Sequence, residues 1–170
     1  MRLRTEIYFG YFQAPFFYIG FVKSGEEYVR VMFYRDLDEL EEDIKARYPS
    51  AEPANEKFKD FIKDLEEYFS GSRVEFDYPI RLRGTSFQLE VWHKVRKIPY
   101  GEVRSYGWVA EEIGKLRAAR AVANALKNNQ IVLIIPCHRV IRKGGKVAGH
   151  GFGRRVREYL LRLENALPRP

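Results

Sequence analysis

One cysteine, Cys137, stands in a chain of 170 residues. A lone thiol excludes an intrachain disulfide and a zinc site built on cysteines, and it fits a reducing cytoplasm. No apolar run approaches the roughly 20 residues of a membrane-spanning helix. "APFFYIGFV", near the N-terminus, is nine residues long and flanked by charge. The opening "MRLRTEIYFGYF" has Glu6 beside its arginines and no small-residue cleavage site after it, so no signal peptide is expected. Methionine, asparagine and glutamine are scarce while Arg, Lys and Glu abound, the composition expected of a thermophile. Internal repeats and low-complexity segments are absent. What is present, 45% hydrophobic and 31% charged residues, is the make-up of a globular protein of one domain or two small ones.

The charge is unevenly placed. Residues 1–80 carry 11 Lys/Arg against 17 Asp/Glu, a net of −6, whereas residues 81–170 carry 19 against 6, a net of +13. A solvated basic face explains a scattered excess. An excess confined to one half favours a polyanion partner for that half, with nucleic acid the first candidate.

The N-terminal third reads as strands. "TEIYFGYF", "FFYIGFVK" and "EYVRVMFYR" are rich in aromatic and β-branched residues and separated by turns such as "KSGEE". "DLDELEEDIKARY" and "NEKFKDFIKDLEEYF" follow with helical spacing, the second at Phe58, Phe61, Ile62, Leu65 and Phe69. The acids from Asp36 to Asp43 read as a solvated helix face rather than a metal site. These elements predict an α+β domain over 1–78, an antiparallel sheet with helices, in a supporting role. A linker over 79–84 leads to a mainly α domain over 85–170.

In that second part, Thr85 and Gln88 form a capping box that opens a helix through "FQLEVWHKVRKI", ending before Pro99. The short helix "YGWVAEEIG" and the alanine-rich "AARAVANALKNN" then make a helix-turn-helix candidate. The apolar run "IVLII" leads to Cys137, a Gly-rich stretch "RKGGKVAGHGFG" follows, and the helix "RRVREYLLRLENAL" comes last before "PRP".

Cys137 has two readings. Free cysteine is among the most buried residue types, so it is a core residue in one. In the other it is a nucleophile, which requires a route to thiolate, a base, and access for an electrophile. His138 is the adjacent base, although neighbouring side chains point apart and a bridging water is the natural link. An orienting acid is needed next. Of the six acids in this half, Glu164 follows Leu160, Leu161 and Leu163 and so is the one expected to face inward.

"IPCHRVI", preceded by "GEVRSYGWVAEEIG" and "RAARAVANALKNN" and followed by "YLLRLE", resembles the O6-alkylguanine-DNA alkyltransferase family over residues 83 to 166. The resemblance implies an enzyme, a single-turnover methylated-DNA–protein-cysteine methyltransferase, acting on double-stranded DNA that contains O6-alkylguanine. It further implies that Cys137 accepts the alkyl group, His138 takes the thiol proton through a water, and Glu164 holds His138. Tyr106 donates to the departing base and turns a phosphate during flipping. Arg120 fills the gap left by the flipped guanine, on a minor-groove helix whose small residues include Ala118, Ala119, Ala121 and Ala123. Lys127 joins the DNA contacts. Asn129 is a polar hinge between that helix and the cysteine segment. Val140, Val147, His150 and Leu126 belong to the substrate pocket. No cofactor, no metal and no membrane association is implied, and the chain is expected to be a cytoplasmic monomer.

Three positions depart from the family pattern. His150 stands where a tyrosine is usual, Gly151 where a serine often follows, and Gln130 where a proline is common. All three bear on pocket shape and so on tolerance for bulky alkyl groups. Two rival readings remain. A non-catalytic module, recognising alkylated DNA or regulating transcription, would use the same helix-turn-helix, although relatives of that kind replace the cysteine. A thiol hydrolase would need an oxyanion-hole motif that is not recognisable here, and it leaves the basic half unexplained.

Overall fold

The computed structural model describes residues 6–167, and they fall into two units that divide between Arg81 and Leu82. In the first unit, three aromatic-rich strands pair antiparallel: β1 (Ile7–Gln13), β2 (Tyr18–Ser24) and β3 (Glu27–Tyr34). Thr5, the start of the first predicted strand, lies outside the described residues. A fourth strand, β4 (Glu52–Pro53), pairs parallel with β1 and makes the order β3-β2-β1-β4. It adds a short parallel edge to the expected antiparallel sheet, and two residues are too few for alternation to reveal it.

Central strand β2 is buried on both faces because helices cover both. On one side α1 (Leu37–Arg47) brings Leu40 and Ile44 against Val22 and Tyr34. On the other, Phe58 from a 3₁₀ turn and Phe61 from α2 (Lys59–Phe69) meet the ring of Phe21, with centroids 4.7 and 5.1 Å away. Most acids from Asp36 to Asp43 are exposed, and two of them have defined partners. Asp36 caps the helix by accepting from the Glu39 amide, and Asp43 pairs with buried Arg30 at 2.8 Å and with Arg47 at 2.7 Å. No metal-binding cluster exists among the described residues.

In the second unit, Thr85 and Gln88 form the expected capping box at the start of α3 (Ser86–Arg96). Trp92 on this helix donates its indole N–H to the Ala125 carbonyl at 2.9 Å, fastening α3 to α5. Thr85→Ala removes one half of the box and should cost about 1 kcal/mol. The expected result is a melting temperature lower by a few degrees, read by thermal denaturation.

Helices α4 (Tyr106–Glu112) and α5 (Ala119–Lys127) form the helix-turn-helix. Beyond α5, residues Ile131–Ile135 are all buried but form no strand, because Leu133 takes a positive φ of 69° and folds the run on itself. A two-stranded parallel pair, β5 (Arg104–Ser105) with β6 (Val140–Ile141), ties the segment after the cysteine to the start of α4. The last helix, α6, spans Gly151–Leu163. It starts three residues before the predicted Arg154 and ends at Glu164, its C-cap. His150 in extended conformation is its N-cap, so the glycines fall in the first turn, where the helix requires least of them. No helix among the described residues is long and apolar enough to cross a membrane.

Candidate active site

Asn129 begins the local construction. Its side-chain oxygen accepts from the Ile131 amide at 2.9 Å and its side-chain N–H₂ donates to the Ile135 carbonyl at 3.0 Å. One buried amide thus bridges both ends of the apolar turn. Pro136 then ends the turn, and Cys137–Arg139 form a single turn of 3₁₀ helix.

Cys137 lines a cavity of about 780 Å³ together with Tyr106, Ala119, Arg120, Leu126, Lys127 and His150. Seven of the residues expected at the site therefore share one opening. Behind it, His138, Glu164 and Asn129 are buried at 2%, 2% and 4% exposure. Val140 and Val147 are also buried and do not line the cavity. Val147 packs with Ile141 and Leu161. Ala121 is exposed on α5 outside the cavity lining.

The electrostatics explain the burial. Glu164 receives His138 Nε2 at 2.7 Å, Arg139 Nε at 2.9 Å and Nη2 at 3.2 Å, and the Gly101 amide at 3.0 Å. Burial opposes its ionisation. The contacts from His138 and the forked guanidinium of Arg139 overcome that and hold its carboxyl well below the ordinary range. Arg139 also donates Nη1 to the Ile98 carbonyl at 2.7 Å, which anchors the cysteine turn to the end of α3. His138 is kept neutral, since burial lowers its pKa by more than Glu164 raises it. Its Nε2 is occupied by Glu164, so Nδ1 is the nitrogen left to accept a proton.

Burial pushes the Cys137 thiol up. The charge of Arg157, the Asn129 side chain and the N–H groups of Cys137 and His138 pull against this without reversing it. No direct hydrogen bond joins the thiol to the imidazole among the described residues. Tyr106 is raised by burial too, so its hydroxyl keeps its proton at neutral pH.

Arg157 was missed in the sequence. It lines the cavity and is held by donating Nη1 to the Ala148 carbonyl at 2.9 Å. Gly149 makes room for it: a Cβ there would lie 2.7 Å from Arg157 Nη1, and the backbone φ of +89° is one that L side chains rarely adopt. The signal was available. Arg157 precedes Glu164 by seven residues, two helical turns, so both fall on one face of α6.

The carboxylate network has a pH signature. Glu164 has a folded-state pKa below its unfolded value, so its stabilisation is complete above about pH 4.5 and drains away as pH falls. His138, also depressed, loses stability in the same direction below about pH 6.5. The melting temperature should therefore decline as pH falls, and below about pH 4.5 the decline should be shallower in Glu164→Gln. Parallel declines in both proteins would contradict the assignment.

Comparison with known proteins agrees with this geometry. Residues 86–166 match the 6-O-methylguanine DNA methyltransferase DNA binding domain, and residues 7–82 match the ribonuclease-like domain of the same proteins. A methylated-DNA–protein-cysteine methyltransferase of Methanosarcina acetivorans is 37% identical over 161 residues, covering 94% of this chain and 99% of that one. One from Mycobacterium bovis is 48% identical over 109 residues, covering 64% and 66%. Among solved structures, Mycobacterium tuberculosis O6-methylguanine methyltransferase superposes with a TM-score of 0.80 at 37% identity, covering 94% and 93%. The same organism's protein in complex with DNA gives 0.81 at 35% identity, with the same coverage. The chain belongs to the methylated-DNA–protein-cysteine methyltransferase family, a class of DNA-repair alkyltransferases.

Proposed function

We propose that this protein repairs duplex DNA by direct reversal, moving the alkyl group of an O6-alkylguanine irreversibly onto Cys137. The observation that carries the reading is that Cys137 opens into the same cavity as Arg120 and Lys127 of the helix-turn-helix. A thiol inside a protein cannot meet a base inside a duplex, so the base must leave the stack, at a cost of a few kcal/mol. Arg120, exposed on α5 and lining the cavity, would occupy the vacated position. Ala119 and Ala123 beside it keep that helix face small enough for close approach.

In the reaction Sγ of Cys137 bonds to the alkyl carbon as the carbon–O6 bond breaks. The thiol proton passes by way of a solvent molecule to His138, whose orientation Glu164 fixes. The Tyr106 hydroxyl donates to the departing guanine and so neutralises the charge that develops on it. Arg157 adds a fixed positive charge beside the thiol. A thioether is a poor leaving group, so each molecule reacts once. No cofactor takes part. Cytoplasmic location and a monomeric state belong to the same reading, with the first unit as support for the second.

A titration of lesion-bearing duplex against protein tests this. The expected result is repair that stops at one lesion per protein molecule. Continued turnover would favour a hydrolase, and tight binding without repair would favour a recognition module.

A further inference from the structure

The second unit carries a cationic feature that the helix-turn-helix does not account for. Residues 142–146, "RKGGK", form a tight turn closed by two backbone bonds, Arg142 amide to Lys146 carbonyl at 2.8 Å and Gly145 amide to Arg142 carbonyl at 3.0 Å. Gly144 and Gly145 both have positive φ, 95° and 90°, so the chain reverses within two residues. All five residues are exposed, and three of them are permanently or normally charged. Several acids of this unit are engaged elsewhere. Glu158 pairs with Arg154 and Arg162, Glu102 with Arg104, and Glu164 with Arg139. Among the described residues no ion pair holds Arg142, Lys143 or Lys146.

The turn's position is informative. Arg142 lines the cavity that holds Cys137, and so do Arg120 and Lys127 of α5. Cations therefore reach the opening both from the helix-turn-helix and from a segment that follows the cysteine. The pairing of β6 with β5 fixes this second segment, since Val140 and Ile141 immediately precede the turn. A backbone so constrained loses little conformational freedom when its side chains meet a ligand.

We propose that the turn Arg142–Lys146 grips the sugar–phosphate backbone of duplex DNA beside the cavity opening, as a phosphate contact separate from α5. The inference rests on the DNA-repair reading above. Cations that hold the strand at the opening would restrain the backbone from which the nucleotide is extruded. Glycines at the tip suit this, because they let phosphates approach without a side chain between the two lysines. Phosphate contacts carry no sequence preference, as befits a protein that must find lesions in any context.

Salt dependence measures the contact. Each phosphate neutralised contributes about −0.9 to the slope of log binding constant against log salt concentration on B-form DNA. Lys143→Ala/Lys146→Ala, both outside the cavity lining, should make the slope shallower by about 1.8. Between 50 and 200 mM salt the unaltered protein should then lose about tenfold more affinity than the double variant. Adding Arg142→Ala should shift the slope further in the same direction. A thermal melt of each variant confirms that the fold is retained. An unaltered slope in the double variant, with the parent protein's binding strongly salt-dependent, overturns the clamp and leaves the repair reading standing. Duplex binding by the parent protein that ignores salt also overturns the clamp, whereas a parent protein that does not bind the duplex at all overturns the repair reading with it.

Discussion

Glu164→Gln should lower stability by about 3–5 kcal/mol, because it leaves the charge of Arg139 buried without a counter-charge. Arg139 is 7% exposed and places two of its nitrogens on the Glu164 carboxylate, 2.9 and 3.2 Å away. Glutamine keeps the shape but offers one acceptor oxygen in place of two, and its amide N–H₂ points a donor at donors. For a chain of this size the loss corresponds to a fall in melting temperature of about 10 °C. The origin can be isolated. Arg139→Met combined with Glu164→Gln should cost clearly less than the two single changes added together, since the uncompensated charge is then gone. Strict additivity would mean that the pair is not coupled and that some other contact carries the stability.

His138→Gln should slow alkyl transfer about 10²–10⁴-fold, the usual contribution of a positioned general base. DNA affinity should change little, because His138 is buried behind the cavity and reaches no surface. The pH profile separates this from a packing defect. Burial keeps the Cys137 thiol protonated at neutral pH and keeps His138 neutral below its ordinary pKa. The unaltered protein should therefore hold its rate as pH falls past about 6.5 and decline only when His138 finally takes a proton. In His138→Gln the remaining route is direct ionisation of the thiol, so the residual rate should climb with pH. A variant whose rate is reduced equally at every pH would argue that His138 positions the turn and moves no proton.

The cysteine side of the site was legible because its parts are short-range or sit on a periodic element. Cys137 and His138 are adjacent, and Glu164 closes an apolar helical stripe that can only face inward. Asn129, Arg120 and Tyr106 were reached through the family resemblance, and their meeting at one cavity depends on the tertiary packing of α4, α5 and the cysteine turn. Arg157 escaped because an arginine on a basic helix looks like solvated surface until the glycine beside it is seen to admit its guanidinium. The spacing of Val147 from Cys137 does not reveal that it packs against Ile141 and Leu161. In the first unit the three long strands announced themselves by composition. β4 did not, since a two-residue strand is defined by its partner β1 and not by its own sequence. The paired state of Asp43 was hidden for the same reason: Arg30, its partner, lies thirteen residues earlier on a strand.

The central claim is that Cys137 itself takes the alkyl group. Intact-protein mass after incubation with duplex DNA bearing a single O6-methylguanine tests it most directly. The expected result is a gain of one methyl group per protein, located on the peptide that contains Cys137 and absent from Cys137→Ala. Unchanged mass in a protein that binds the duplex, or a methyl group on any other residue, would contradict the account.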